Sequence, residues 1–296
     1  MLHKFPSQRG PITARCWGNP EHPRLLMLHG FPEYSGAWAR LADYLTDHYY
    51  CIAPDQRGYG QTGGPDDVSA YTTSALVQDM VDVIGTQPVT VLGHDWGAAV
   101  AYGLAMFHPY LVDRLIVLNG VHPVPFQRAM ASGGAQSQAS QYIEILRKPG
   151  SETTLAANNF EKLMRLFSAN MDLSWLTPSM QAKYHQEWAR PGRLKTMLHW
   201  YRASPLIVAK PGQPVPIPPL PLDKLHIPQP HLLIWGENDT ALLPEATQGL
   251  ENFAPHLTRQ SIAETDHWVA HQNPKAVAQH ILSWSDALND QSRLKV

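Results

Sequence analysis

Two cysteines, Cys16 and Cys51, are all that 296 residues contain. So few leave no disulfide framework to hold a fold, and they point to a reducing compartment. No apolar run is long enough to span a bilayer, and the opening stretch MLHKFPSQRGPITARCW lacks the apolar centre of a secretion signal. Neither sign of charge dominates. With 23 basic and 25 acidic side chains, the formal net charge is -2. That is no electrostatic footprint for nucleic acid or an anionic membrane. The expectation is a cytoplasmic protein of enzyme size. Apolar residues make up 44% of the chain, which suits either one large α/β domain with an insertion or two domains.

What is present is an alternation. RLLML (Arg24–Leu28), YCIA (Tyr50–Ala53), VTVLG (Val89–Gly93), LIVLN (Leu115–Asn119) and HLLIW (His231–Trp235) are short apolar runs that predict buried strands. SGAWARLADYL, WGAAVAYGLAMFH and NPKAVAQHILSWSDAL carry helical spacing. Strands alternating with helices imply βαβ units and a mostly parallel sheet, apolar on both faces. The alternation stops after Asn119. From about Val124 to Leu222 the patterns are helical, and then comes the proline-dense AKPGQPVPIPPLPLDKLHIPQP. Proline cannot donate to a ladder, so this segment reads as an extended return connector, or else as a flexible linker. The expected organisation is an α/β core over residues 1–123, a helical cap with its connector over 124–222, and the rest of the core over 223–296.

One stretch carries chemistry. In TVLGHDWGAAVAY a strand meets a helix through Gly93-His94-Asp95-Trp96-Gly97. Such an elbow, in the form G-x-S-x-G, presents a nucleophile at the C-terminal edge of a sheet. Here the central residue is a carboxylate. The positive end of the following helix favours its ionised form, and an ionised carboxylate attacks saturated carbon bearing a leaving group. It suits ester or peptide hydrolysis poorly. The competing reading of Asp95 is a plain helix cap.

HGFPE (His29–Glu33), DQRGYGQT (Asp55–Thr62), GHDWGAAVAY and LNGVHPVPF (Leu118–Phe126), in this order, resemble the α/β-hydrolase superfamily and within it the epoxide hydrolases. The resemblance covers nearly the whole chain and implies roles. It matches Asp95 to the nucleophile and His267, in ETDHWVAHQNP after the strand RQSIA, to the base that activates water. With 15 histidines present, many are structural. His271 is the nearest competitor, although HWVAH lacks the Glu of a metal-binding H-E-x-x-H, so no metal is expected. The orienting acid matches Asp239 in WGENDTALLP, with Glu237 as its rival and an Asx-turn as its bland alternative. The backbone N–H groups of Phe31 and Trp96 match an oxyanion hole, the Phe31-Pro32 peptide a cis bond, and His29 a loop-orienting residue.

The same resemblance supplies two tyrosines to hold the epoxide oxygen. HWYRASP (His199–Pro205) matches Tyr201, and SQYIEILRKPG (Ser140–Gly150) matches Tyr142. Either alone would serve as a packing aromatic. Phe31, Trp96, Trp200 and His199 are expected to line the substrate pocket; His199 departs from the family motif, which often has Asn or another small polar residue before Trp-Tyr-Arg. The implied reaction is hydrolysis of a small to medium, largely apolar epoxide by water to a vicinal diol, with no cofactor. Two rivals remain open. A haloalkane or haloacid dehalogenase shares the Asp nucleophile, but it uses a side-chain donor where Phe31 stands, or arginines where Trp96-Gly97-Ala98-Ala99 stand. A non-catalytic binding homologue would be expected to have lost one of the five residues. Apolar helices of the cap leave a homodimer open.

Overall fold

The computed structural model describes residues 1–168 and 170–293. Its frame is an eight-stranded sheet: β1 (Leu2–Phe5), β2 (Ile12–Trp17), β3 (Arg24–Leu28), β4 (Tyr50–Pro54), β5 (Val89–His94), β6 (Val112–Leu118), β7 (His231–Gly236) and β8 (Leu257–Ile262). The spatial order is β1-β2-β4-β3-β5-β6-β7-β8, antiparallel where β2 meets β1 and β4 and parallel elsewhere. The central parallel strands β3, β5 and β7 are buried along nearly their whole length because both faces are covered, whereas the edge strand β8 is largely polar and exposed. Along β3, Leu26 and Leu28 face one apolar cluster with Val77, Ala101 and Leu104; Leu25 and Met27 face the other with Trp38, Val277 and Ile281. Each such buried side chain contributes about 1.5–3 kcal/mol.

The N-terminal strands departed from the expected pattern. In β2 the apolar residues Ile12, Ala14 and Cys16 alternate with Thr13, Arg15 and Trp17. An antiparallel strand near an edge needs no continuous apolar run, so a search for such runs passes over it. SGAWARLADYL is also less regular than its spacing implies. It forms a 3-10 turn at Ser35–Trp38 and a single α turn at Ala39–Ala42. Gly36 lowers the helical propensity of this short segment.

Between β6 and β7 the described residues form no strand. Six α-helices follow one another, Pro123–Ala131, Ala135–Ala139, Gln141–Arg147, Ser151–Ser168, Pro178–Trp188 and Arg193–Ala203, and a 3-10 turn at Leu222–Lys224 comes before β7. The fourth breaks at Ala157–Phe160, where Asn158, Asn159 and Phe160 take left-handed backbone angles. The proline-rich return is tied down by main-chain bonds: Ala209 and Val215 donate to Met130 and Ala131, and Ile227 to Phe253. No described helix is long and apolar enough to cross a membrane. The parallel strands all end at one edge of the sheet, and the helical insertion lies over that edge, where open α/β sheets bind their ligands.

Candidate active site

Asp95 sits on the sharp turn between β5 and the helix Trp96–Phe107, at φ 51° and ψ -121°. This left-handed φ is unfavourable for a residue with a Cβ, and the surroundings enforce it. A Cβ on Gly97 would collide with the Leu28 carbonyl oxygen, and one on Gly30 with the Asp95 carboxylate. Two chain segments therefore approach so closely that only glycine fits beside the turn. The capping explanation for Asp95 does not hold: its side chain makes no cap bond to the helix. Oδ1 instead accepts the Phe31 N–H at 2.8 Å. The loop that supplies this N–H follows β3 and contains the cis peptide Phe31-Pro32. His29, fully buried, steadies it, with Nδ1 3.0 Å from the Gly30 carbonyl and Nε2 accepting the Gln56 N–H.

Beyond Oδ2 of Asp95, 3.7 Å away, lies Nε2 of His267. The other ring nitrogen, Nδ1, is 2.8 Å from Oδ2 of Asp239. Asp239 is fully engaged. Its Oδ1 accepts the N–H groups of Ala241 and Leu242, and Oδ2 also accepts Asn119 Nδ2 at 2.8 Å. Burial would raise the Asp239 carboxyl, but the charge and hydrogen bond of His267 more than offset it and lower it. Burial would likewise depress His267; Asp239, then Asp95 and Glu33, push it up to about 9. An imidazole so placed holds its proton more tightly than a free one.

Tyr142 and Tyr201 face Asp95 from the insertion, and all three border the same cavity. Their rings lie 6.3 Å apart, and Tyr201 packs edge-to-face on Phe31 and Trp96. Burial, reinforced by nearby negative charge, raises both hydroxyls above the ordinary 10. They stay protonated at neutral pH and are able to donate hydrogen bonds. The cavity thus sets a carboxylate on one side and two protonated phenol hydroxyls on the other.

Phe31 and Trp96 line this cavity, whereas Trp200 and His199 are absent from its walls. Each residue along a helix turns about 100°. With Tyr201 facing the cavity, Trp200 and His199 point elsewhere. Trp200 donates to the Arg57 carbonyl at 2.8 Å and packs on Tyr59; His199 lies 3.3 Å from Asp66 and against Tyr71. Glu237 is exposed and accepts a bond from Ser261, away from His267.

The sequence reading missed a second buried carboxylate. Glu33 accepts from Tyr184 at 2.9 Å, lies 2.6 Å from Nε2 of His271 and 3.4 Å from Nδ1 of His94. His94 in turn reaches the His267 carbonyl at 2.8 Å. Burial would raise Glu33, but His271 and His94 hold it well below the usual carboxylate range. This accounts for His271, whose Nε2 pairs with Glu33. Asn119 was also missed, although a polar residue ending the apolar run LIVLN was a visible signal.

Residues 23–274 match the family model described as alpha/beta hydrolase fold. The AB hydrolase superfamily protein YfhM of Bacillus subtilis (strain 168) is 30% identical over 274 residues, covering 90% of this chain and 91% of that protein. Epoxide hydrolase 2 of Caenorhabditis elegans is 30% identical over 262 residues, covering 86% of this chain and 71% of that protein. Among solved structures, an epoxide hydrolase of the same superfamily from metagenomes of hot environments superposes with a TM-score of 0.87 at 32% identity, over 96% of this chain and 98% of that one.

Proposed function

Since the chain belongs to the α/β-hydrolase fold family and, within it, to the epoxide hydrolases, we propose that it hydrolyses epoxides to vicinal diols through a covalent ester on Asp95. The observation that carries this reading is the carboxylate of Asp95 facing two protonated tyrosines across one cavity. Oδ1 is occupied by the Phe31 N–H, which leaves Oδ2 to attack an epoxide carbon. The carbon–oxygen bond of the ring breaks, and its electron pair goes to the ring oxygen. That oxygen would otherwise be an alkoxide, a very poor leaving group. Tyr142 and Tyr201 donate to it as the charge develops.

Esterification removes the Asp95 charge, one of the influences that hold the proton on His267. The imidazole then becomes a competent base, oriented by Asp239. It takes a proton from water as the water attacks Cγ of the ester. The resulting oxyanion falls at Oδ1, where the Phe31 N–H already points and the Trp96 N–H adjoins. Collapse breaks the ester and releases the diol. Protons balance over the cycle: ring opening consumes one and hydrolysis returns one.

The test is a side-by-side assay of styrene oxide, 1-bromobutane and fluoroacetate. Diol without halide is the expected result. Halide without diol would replace this reading with a dehalogenase.

A further inference from the structure

A second cavity, of about 150 Å³, lies away from Asp95, where the β1–β2 hairpin meets the loop at 61–65. It shares no lining residue with the cavity at Asp95. Its charges are all of one sign. Lys4, Arg9 and Arg57 line it, and no carboxylate is among its described lining residues. Two carboxylates stand close by: Asp79 pairs with Arg57, and Asp82 accepts the Gln8 N–H at 2.8 Å. Three cations against these two keep the local charge positive.

Arg57 is the fixed element, only 5% exposed. Its Nε donates to Oδ2 of Asp79 at 2.7 Å and its Nη2 to Oδ1. Its carbonyl accepts Trp200 Nε1 at 2.8 Å. Held at the main chain and at the head group, it has little freedom left to lose on binding a ligand. A guanidinium carries five N–H donors in one plane. Asp79 engages one edge of that fork. Nη1, on the other side, meets no acceptor among the described residues and is not sealed from solvent. Arg57 lines the cavity, so its free donors face that space. A charged donor without an acceptor in so dry a place favours an anion that supplies one.

The other two cations come from a different part of the chain. Lys4 lies on β1 and Arg9 in the turn that follows, and both are exposed. A planar carboxylate would spend both oxygens on the guanidinium fork. A tetrahedral oxyanion keeps further oxygens for the hairpin cations.

We infer that this cavity binds a phosphate group, free or as the end of a phosphomonoester, with Arg57 at its base and Lys4 and Arg9 at its rim. The inference is independent of the reading of Asp95 as a nucleophile.

The test is isothermal titration calorimetry of the natural chain with sodium phosphate, the ionic strength held constant with chloride because exposed charges are screened by salt. Saturable binding of one ion per chain is expected, with a rise in Tm as phosphate is added. Neither saturable heat nor a rise in Tm would overturn the inference. Sulfate should displace phosphate and acetate should not; acetate as effective as sulfate would overturn the choice of phosphate. Glycerol 1-phosphate separates the two sources: tighter binding than phosphate assigns the site to a monoester, weaker binding to the free ion. Two double variants locate the ion. Lys4→Gln with Arg9→Gln changes only exposed side chains and should weaken phosphate about tenfold or more, with styrene oxide turnover unchanged. Arg57→Gln with Asp79→Asn removes the buried pair without stranding a charge and should abolish binding. Unchanged affinity in either folded variant would place the ion elsewhere and overturn the assignment. The first variant decides the matter if the second fails to fold.

Discussion

The two walls of the cavity are held by different means. On the sheet side, Asp95, Asp239 and His267 follow strand ends, and hydrogen bonds fix each of them. Asp95 takes the Phe31 N–H, Asp239 takes two backbone N–H groups and Asn119, and His267 is bound to Asp239. On the insertion side, Tyr201 rests in edge-to-face contacts with Phe31 and Trp96, and Tyr142 packs against Tyr201. Bonds that follow a rigid sheet fix the Asp95 carboxylate and the His267 imidazole closely. Ring packing sets a donor more loosely, and there are two donors to share one task. The sheet wall should therefore tolerate no single loss, while the helical wall tolerates one.

Substitutions test that contrast, beginning with the most damaging. Asp95→Ala should lower kcat/KM by about ten-thousand-fold or more; diol formation near the normal rate would remove the nucleophile from the account. Asp239→Asn leaves His267 without its orienting charge and should slow the hydrolytic half-reaction by about a thousand-fold. Stopped-flow measurement of ester formation and decay separates this from ring opening, and an unaffected decay would return the role to another acid. Replacing both tyrosines with Phe should cost about a thousand-fold in ring opening, and replacing either alone only about tenfold. A single tyrosine variant as slow as the double would erase the distinction between the walls.

The smallest effect is on stability. His267 is raised from the ordinary 6.5 to about 9 in the folded chain. A group that binds its proton more tightly when folded stabilises the fold fully below its unfolded pKa and ceases to do so as the pH rises through its folded one. The Tm advantage of the natural chain over His267→Gln should therefore shrink between pH 6.5 and about 9. An advantage that grows over that range would contradict the charged pairing of His267 with Asp239 and Asp95.

The sheet wall was also the more legible one in the sequence. Strands β3 to β7 announce themselves as short apolar runs, and the glycines around Asp95 mark a turn that few other residues could make. Once the ends of parallel strands share an edge, the residues just after them converge, which is why an ordered set of motifs could be read as one site. The helical wall was harder. Helical spacing says which residues share a face, not which way that face points in an irregular insertion. Tyr201 faces the cavity, but its neighbours His199 and Trp200, expected in the pocket lining, turn instead toward Asp66 and the Arg57 carbonyl. Glu33 escaped for another reason. Its partners His94, Tyr184 and His271 come from three distant parts of the chain, so no local pattern marks the cluster.

The central claim is an ester on Asp95 that His267 helps to hydrolyse, and one experiment addresses it directly. His267→Gln is incubated with styrene oxide, and the intact protein and its peptides are weighed by mass spectrometry. The account predicts that the protein gains the mass of one epoxide, carried on the peptide that contains Asp95, and that little diol forms. An unmodified variant that still produces diol at the normal rate would contradict it.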